Sequence, residues 1–282
     1  MSGAALTTRA GARDLEAELN YIAAGIERPR TYAYPSPEGE PRSNVVSDPR
    51  RVPIRDARAH AAGATLDREG FALIRFTTAV RDFGDEADIR ARLYPEVEHA
   101  LASVTGAARV LIFDHTIRRR VEGAEDRGAN APRQPVPRVH VDHTARSGPQ
   151  RVCDLLPDEA EGLLRGRVQI INLWRPLFGP LRDSPLAVAD ARSIAPDDLV
   201  PSDLVYPDRV GEVYSVRYSP RHRWFYVPEM QADEALLLKC FDSATDGRAR
   251  FAPHTAFQDP SAGPNARPRE SVELRALVFH PG

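Results

Sequence analysis

From Val168 to the end, short apolar, β-rich runs recur with turn signals between them. Val168-Gln169-Ile170-Ile171-Asn172-Leu173-Trp174-Arg175-Pro176 is the clearest, closed by a proline that has no amide hydrogen to give. Further runs lie at 211–218, 222–227, 235–242 and 270–279. Runs of this length, bounded by Gly, Pro, Asn and Asp, predict strands rather than helices. Strands this dense must stack two faces, which predicts a β-sandwich or jelly roll.

The front half carries the helical signal. Leu15, Leu19 and Ile22 stand at helical spacing and Gly25 follows, so 12–24 is expected as a helix. Prolines 29, 35, 37, 41, 49 and 53 then predict an extended arm over the body, a surface strap. Part of the substrate pocket, or a homodimer contact, are two other uses for it. The expected division is 1–64 for the N-terminal helix and Pro-rich arm, and 65–282 for a single domain. Gly70-Phe71-Ala72-Leu73-Ile74-Arg75-Phe76 reads as a strand. Ile89, Leu93, Val97, Leu101 and Val104 mark a helical stripe, kinked or restarted at Pro95. Val110-Leu111-Ile112-Phe113 is a buried strand, 122–137 a mobile loop, and 150–164 helical with an interruption at Pro157.

Composition excludes several classes. A net charge of −2 gives no field that would draw in nucleic acid or an anionic membrane. No apolar run is long enough to span a bilayer, and the first residues lack a secretory pattern. The two cysteines, Cys153 and Cys240, have no metal or disulfide spacing. A cytoplasmic protein with a small-molecule partner is expected.

Arg138-Val139-His140-Val141-Asp142-His143-Thr144 carries the chemistry. Side chains on a strand alternate faces, so His140 and Asp142 point the same way. A third ligand must come from elsewhere. His254 is the best candidate and His115 the rival. Two imidazoles and one carboxylate with open positions form the facial triad of non-haem Fe(II) oxygenases. A 2-oxo acid and dioxygen would take the open positions, and the far carboxylate of 2-oxoglutarate needs an arginine fork.

The last strand offers two. Arg269, Ser271, Glu273 and Arg275 share parity, and a buried charged row is costly unless it serves a ligand or pairs internally. One arginine is expected to hold 2-oxoglutarate and the other to pair with Glu273. The deeper Arg275 is favoured for the ligand. Asn172 and Arg175 are candidate contacts to cosubstrate or substrate. His143, Trp174, Trp224 and Tyr226 are candidate substrate contacts, and parity puts His143 on the opposite face from His140.

Gly70-Phe71-Ala72-Leu73, Phe113-Asp114-His115-Thr116, Val139-His140-Val141-Asp142, Asn172-Leu173-Trp174-Arg175-Pro176-Leu177, Pro253-His254-Thr255-Ala256-Phe257 and Arg269-Glu270-Ser271-Val272-Glu273 together resemble one family. It is the gibberellin-desaturase-like group, with fungal aspergillic-acid-type hydroxylases and the cephamycin methoxylation component. The likeness runs from about residue 65 to the end. It implies a mainly β chain with flanking helices around a double-stranded β-helix (jelly-roll, cupin-like) core. It implies Fe(II), 2-oxoglutarate and O2, with iron ligands His140, Asp142 and His254. It also implies hydroxylation or desaturation in secondary metabolism. His143 departs from the aromatic expected at its position. Two other readings are a metal-dependent hydrolase using His-x-Asp-His, which Arg138 disfavours, and a jelly-roll binding module without catalysis.

Overall fold

A computed structural model describes residues 11–26, 28–124 and 132–281. Fourteen strands are found among these residues, in two sheets. The larger joins β1 (Leu15–Ile22), β2 (Arg30–Tyr32), β3 (Ser47–Asp56), β6 (His140–Val141), β8 (Leu186–Ala189), β9 (Leu199–Val205), β10 (Val210–Val216), β11 (Trp224–Tyr226) and β13 (His254–Ala256). Its order is β1-β3-β11-β8-β13-β6-β10-β9-β2. The smaller joins β4 (Phe71–Arg75), β5 (Arg109–Arg119), β7 (Val168–Pro176), β12 (Glu234–Asp242) and β14 (Glu270–Phe279), in the order β4-β12-β7-β14-β5. The two sheets are those of a jelly roll, as expected.

Strand alternation sorts the core into layers. Ile170, Trp174, Leu236, Leu238 and Leu277 of the small sheet pack with Val141, Leu186, Val188 and Phe225 of the large one. The opposite residues of the small sheet, Ile171, Leu173, Leu237, Val272 and Leu274, face helix α1 (Tyr94–Thr105) through Val97 and Leu101. So the front-half helix does cover one face. A π-helical turn at Ile89–Leu93 leads into α1, with Pro95 in the first turn of α1. Proline has no amide to donate, and the expected restart at Pro95 takes this form.

The expected helix at 12–24 is instead β1, paired antiparallel with β3 from Leu15↔Ile54 to Ile22↔Ser47. Leu15, Leu19 and Ile22 suit helical spacing. However, Ala17, Leu19 and Tyr21 are buried while Glu16 and Glu18 are exposed, a period of two. β3 also pairs in parallel with β11, so the proline-rich arm contributes strands to the large sheet. The loop expected at 122–137 falls partly on 125–131, outside the described residues.

Two local features place the site. Gly70 has φ 84°, and a Cβ there would come within 3.1 Å of Ala252, two residues before His254. In β5 a register shift leaves Phe113 without a cross-strand partner, since Arg275 pairs with Asp114 and Ala276 with Ile112. A bulge of this kind re-aims side chains beside it.

Candidate active site

His140 lies in the two-residue β6, flanked by β10 and β13, and pairs directly with His254 of β13. The imidazole centroids are 4.5 Å apart. Asp142 follows the strand, and its Oδ1 lies 3.4 Å from His140 Nε2. One donor atom from each of His140, Asp142 and His254 falls within 4.8 Å of the others.

Each donor is oriented by a fixed partner. His140 Nδ1 donates to the Arg138 carbonyl at 2.7 Å, and His254 Nδ1 to the Ala252 carbonyl at 3.1 Å. A carbonyl only accepts, so the proton sits on Nδ1 in both rings and Nε2 keeps its lone pair. His254 Nε2 is buried with no hydrogen-bond partner. Asp142 Oδ2 accepts from Asn172 Nδ2 and from Arg275 Nε, both at 2.8 Å. That leaves Oδ1 turned towards the imidazoles.

The electrostatics suit a cation. Burial alone would raise the Asp142 carboxyl, but the Arg275 guanidinium and His140 outweigh it and hold it well below the usual carboxylate range. Burial and the neighbouring His140 push the His254 imidazole down, keeping it neutral. Arg275 also meets Asp114, Thr116 and Glu273. Three carboxylates therefore share one guanidinium, a formal excess of two negative charges that a divalent ion neutralises. The orphaned Nε2, the free Oδ1 and this charge all fit Fe(II).

The two arginines of the last strand part company. Arg275, favoured from the sequence for the cosubstrate, is committed to carboxylates. Arg269 is 2% exposed and pairs with no carboxylate through its guanidinium in the described contacts. Its Nε donates to Ser271 Oγ at 3.0 Å, its Nη1 to the Ser184 carbonyl at 2.9 Å, and its guanidinium lies over the Trp174 ring at 4.9 Å. Burial and the nearby Arg118 push it down to about 9. Asp183 accepts from its backbone amide. A groove of about 670 Å³ lined by Arg119, Arg120, Val121, Pro132, Arg267, Pro268 and Glu270 opens at this end of the strand.

Other expected contacts fall elsewhere. Arg175 alternates to the far face of β7, where it packs on Phe76 and Phe83 and donates to the Ala232 carbonyl. Trp224 and Tyr226 lie on the outer side of β11. Trp224 Nε1 donates to Tyr21 Oη at 2.7 Å and Tyr226 donates to the Arg13 carbonyl. Neither joins the metal cluster, because strand parity turns Phe225, not its neighbours, inward. His115 bonds Tyr94 and faces Glu86, away from the trio, which removes the rival third ligand. Asn172 does reach the site, through Asp142. His143 lies past the end of β6, so strand parity does not govern it. Burial holds its imidazole down to about 4, and its ring meets Phe113 edge-on at 6.3 Å. Sequence reasoning gave no role to Asp114, Thr116 and Phe113, although Phe-Asp-His-Thr had stood out as a motif.

The chain matches the family model for the oxidoreductase/YMDC permease-like domain over residues 19–279. The chain belongs to this family. A hydroxylase/desaturase from Hormonema carpetanum, efuI, is 35% identical over 249 residues, covering 81% of this chain and 83% of that protein. An Fe(II)/2-oxoglutarate-dependent dioxygenase from Aspergillus novofumigatus, nvfI, is 31% identical over 273 residues, 94% of this chain and 96% of the relative. The solved iron and alpha-ketoglutarate-dependent endoperoxidase NvfI matches with a TM-score of 0.85 at 29% identity, over 95% of this chain and 99% of that one. Members of this family thus carry the fold, the oxygenase chemistry, the iron and the 2-oxoglutarate that the motifs implied. The hydrolase and binding-module readings find no counterpart among these relatives.

Proposed function

We propose that this protein is an Fe(II)/2-oxoglutarate-dependent oxygenase that hydroxylates or desaturates a small natural product. The observation that carries this reading is the convergence of His140, Asp142 and His254, each with its non-ligating atom already bonded. His140 Nε2, Asp142 Oδ1 and His254 Nε2 would hold the metal. When bound, Fe(II) supplies redox chemistry and open positions at which a keto acid and dioxygen can react.

The chain's own residues prepare that chemistry. Arg275 and Asn172 hold Asp142 ionised and fix which oxygen it presents. Arg269 offers the desolvated fork that suits the far carboxylate of 2-oxoglutarate. Ser271 Oγ accepts from Arg269 Nε, so its hydroxyl proton is available to the same carboxylate. Phe113 and His143, whose rings meet edge-on, are the aromatic side chains this reading offers to substrate. No helix among the described residues is long and apolar enough to cross a membrane. The free Cys153 and Cys240 fit a reducing, cytoplasmic setting.

The test is turnover of 2-oxoglutarate to succinate and CO2 by the purified protein, dependent on Fe(II) and O2. The reading predicts that Asp142→Ala abolishes it with the fold intact. Turnover unaffected by Asp142→Ala, or absent in folded, iron-loaded wild type, contradicts the reading.

A further inference from the structure

The chain has two tryptophans, and they are treated differently. Trp224 Nε1 donates to Tyr21 Oη. Trp174 Nε1 is buried and has no hydrogen-bond partner. An indole N–H taken from water without a partner is costly, and native proteins rarely leave one so unless a ligand completes it. The residue is 1% exposed, on the inner face of β7, two positions from Asn172. Across the strand pair it faces Glu273, which is already committed to Arg275. Against its ring, at 4.9 Å, lies the guanidinium of Arg269, also buried and without a carboxylate in its described contacts. An orphaned donor and a buried guanidinium with no carboxylate in its described contacts call for the same thing, an anion with spare lone pairs. The donor inventory of this corner is then Arg269, Ser271 and one neutral N–H.

From this juxtaposition we propose that Trp174 Nε1–H donates a hydrogen bond to the far carboxylate of 2-oxoglutarate, beside Arg269, as a binding residue for the cosubstrate. The proposal rests on the function proposed above. It explains why the indole is held without a protein partner. A charged acceptor gains more from such a donor than water does, because Trp174, Arg269 and Ser271 are buried and the carboxylate carries full charge. Removing the donor therefore weakens the cosubstrate without touching the metal ligands.

The test is calorimetric titration of 2-oxoglutarate into Fe(II)-loaded protein under anaerobic conditions, for wild type, Trp174→Phe and Arg269→Ala. Trp174→Phe is expected to weaken 2-oxoglutarate about tenfold, a typical loss for a hydrogen bond to a charged group. Fe(II) affinity measured without 2-oxoglutarate should stay as in wild type. Wild-type affinity in Trp174→Phe together with weakened binding in Arg269→Ala overturns this inference alone. Wild-type affinity in both overturns the cosubstrate site itself. A second measurement needs no variant: the ¹⁵N-labelled indole resonances of the Zn(II)-loaded protein, followed as 2-oxoglutarate is added. The Trp174 indole proton should move downfield while that of Trp224 stays. A Trp174 resonance unmoved at saturating 2-oxoglutarate overturns the proposal, and an ordered water or a purely structural indole gives that result.

Discussion

His140 and His254, far apart in the chain, are direct cross-strand partners, with ring centroids 4.5 Å apart. β13 is three residues long and β6 two, so this register positions two of the three proposed ligands. Each ring is further locked by a backbone carbonyl two residues earlier. Turning either imidazole breaks its hydrogen bond to that carbonyl. Loss of an outer-shell partner alone costs about 10- to 100-fold in metal affinity. His254→Ala, which removes a ligand, is therefore expected to lose at least about 100-fold in Fe(II) affinity. Anaerobic Fe(II) titration checks this.

Asn172 contacts Asp142 but none of the imidazoles through any described hydrogen bond. Asn172→Ala should lower Fe(II) affinity by roughly tenfold, the lower end for a partner that orients a ligand. Its thermal midpoint should move less than that of Arg275→Leu. Arg275→Leu strands Asp142, Glu273 and Asp114 together, and breaking a buried ion pair costs roughly 3–5 kcal/mol. Denaturant unfolding of the two variants separates ligand orientation from charge balance.

Arg269→Lys keeps the charge but loses the planar fork. The expected result is a KM for 2-oxoglutarate raised about tenfold or more, with Fe(II) affinity unchanged, because each lost bond to a charged group is worth about 1.5–3 kcal/mol. The same substitution at Arg275 should instead depress metal binding. Initial-rate kinetics and metal titration on both variants give the comparison.

A second charge cluster, built on a buried lysine, is expected to contribute to the acid sensitivity of the fold. Lys239, the sole lysine, is fully buried and meets Asp67 and Asp242, each at 2.7 Å, while Arg167 reaches both acids. Burial would raise both carboxyls, but Lys239 and Arg167 prevail, lowering Asp67 to about 2 and Asp242 below its ordinary value. A carboxyl depressed in the folded state stabilises it above the unfolded pKa of about 4 and loses that effect as pH falls through the folded one. Stability should thus be flat above about pH 5 and drop between about pH 4 and 2. Asp242→Asn should be roughly 3 kcal/mol less stable at neutral pH, with the gap narrowing in acid. Circular dichroism with denaturant across pH measures both.

Much of the site was legible because it depends on face and chemistry. Parity groups the Arg-x-Ser-x-Glu-x-Arg row, which the structure keeps on one face, whereas His254 is expected from the need for a third ligand and Asp142 lies just past the end of β6. Parity does not name partners. The choice between Arg269 and Arg275 turns on the carboxylates gathered around Arg275, Asp142, Glu273 and Asp114, the last of them beside the bulge at Phe113, and no local pattern announces a bulge. Trp224, Tyr226 and Arg175 were misplaced for a related reason: aromatic and basic residues on strands look alike whichever face is inward. β1 was misread because Leu15, Leu19 and Ile22 satisfy helical spacing, while the deciding Ala17 and Tyr21 are weak hydrophobic markers.

The most direct measurement is anaerobic optical titration of 2-oxoglutarate into the Fe(II)-loaded protein. One iron per chain and a weak visible charge-transfer band, lost in both His140→Ala and His254→Ala, are expected. A correctly folded wild-type protein that binds no iron, or binds it and shows no band with 2-oxoglutarate, would contradict the account.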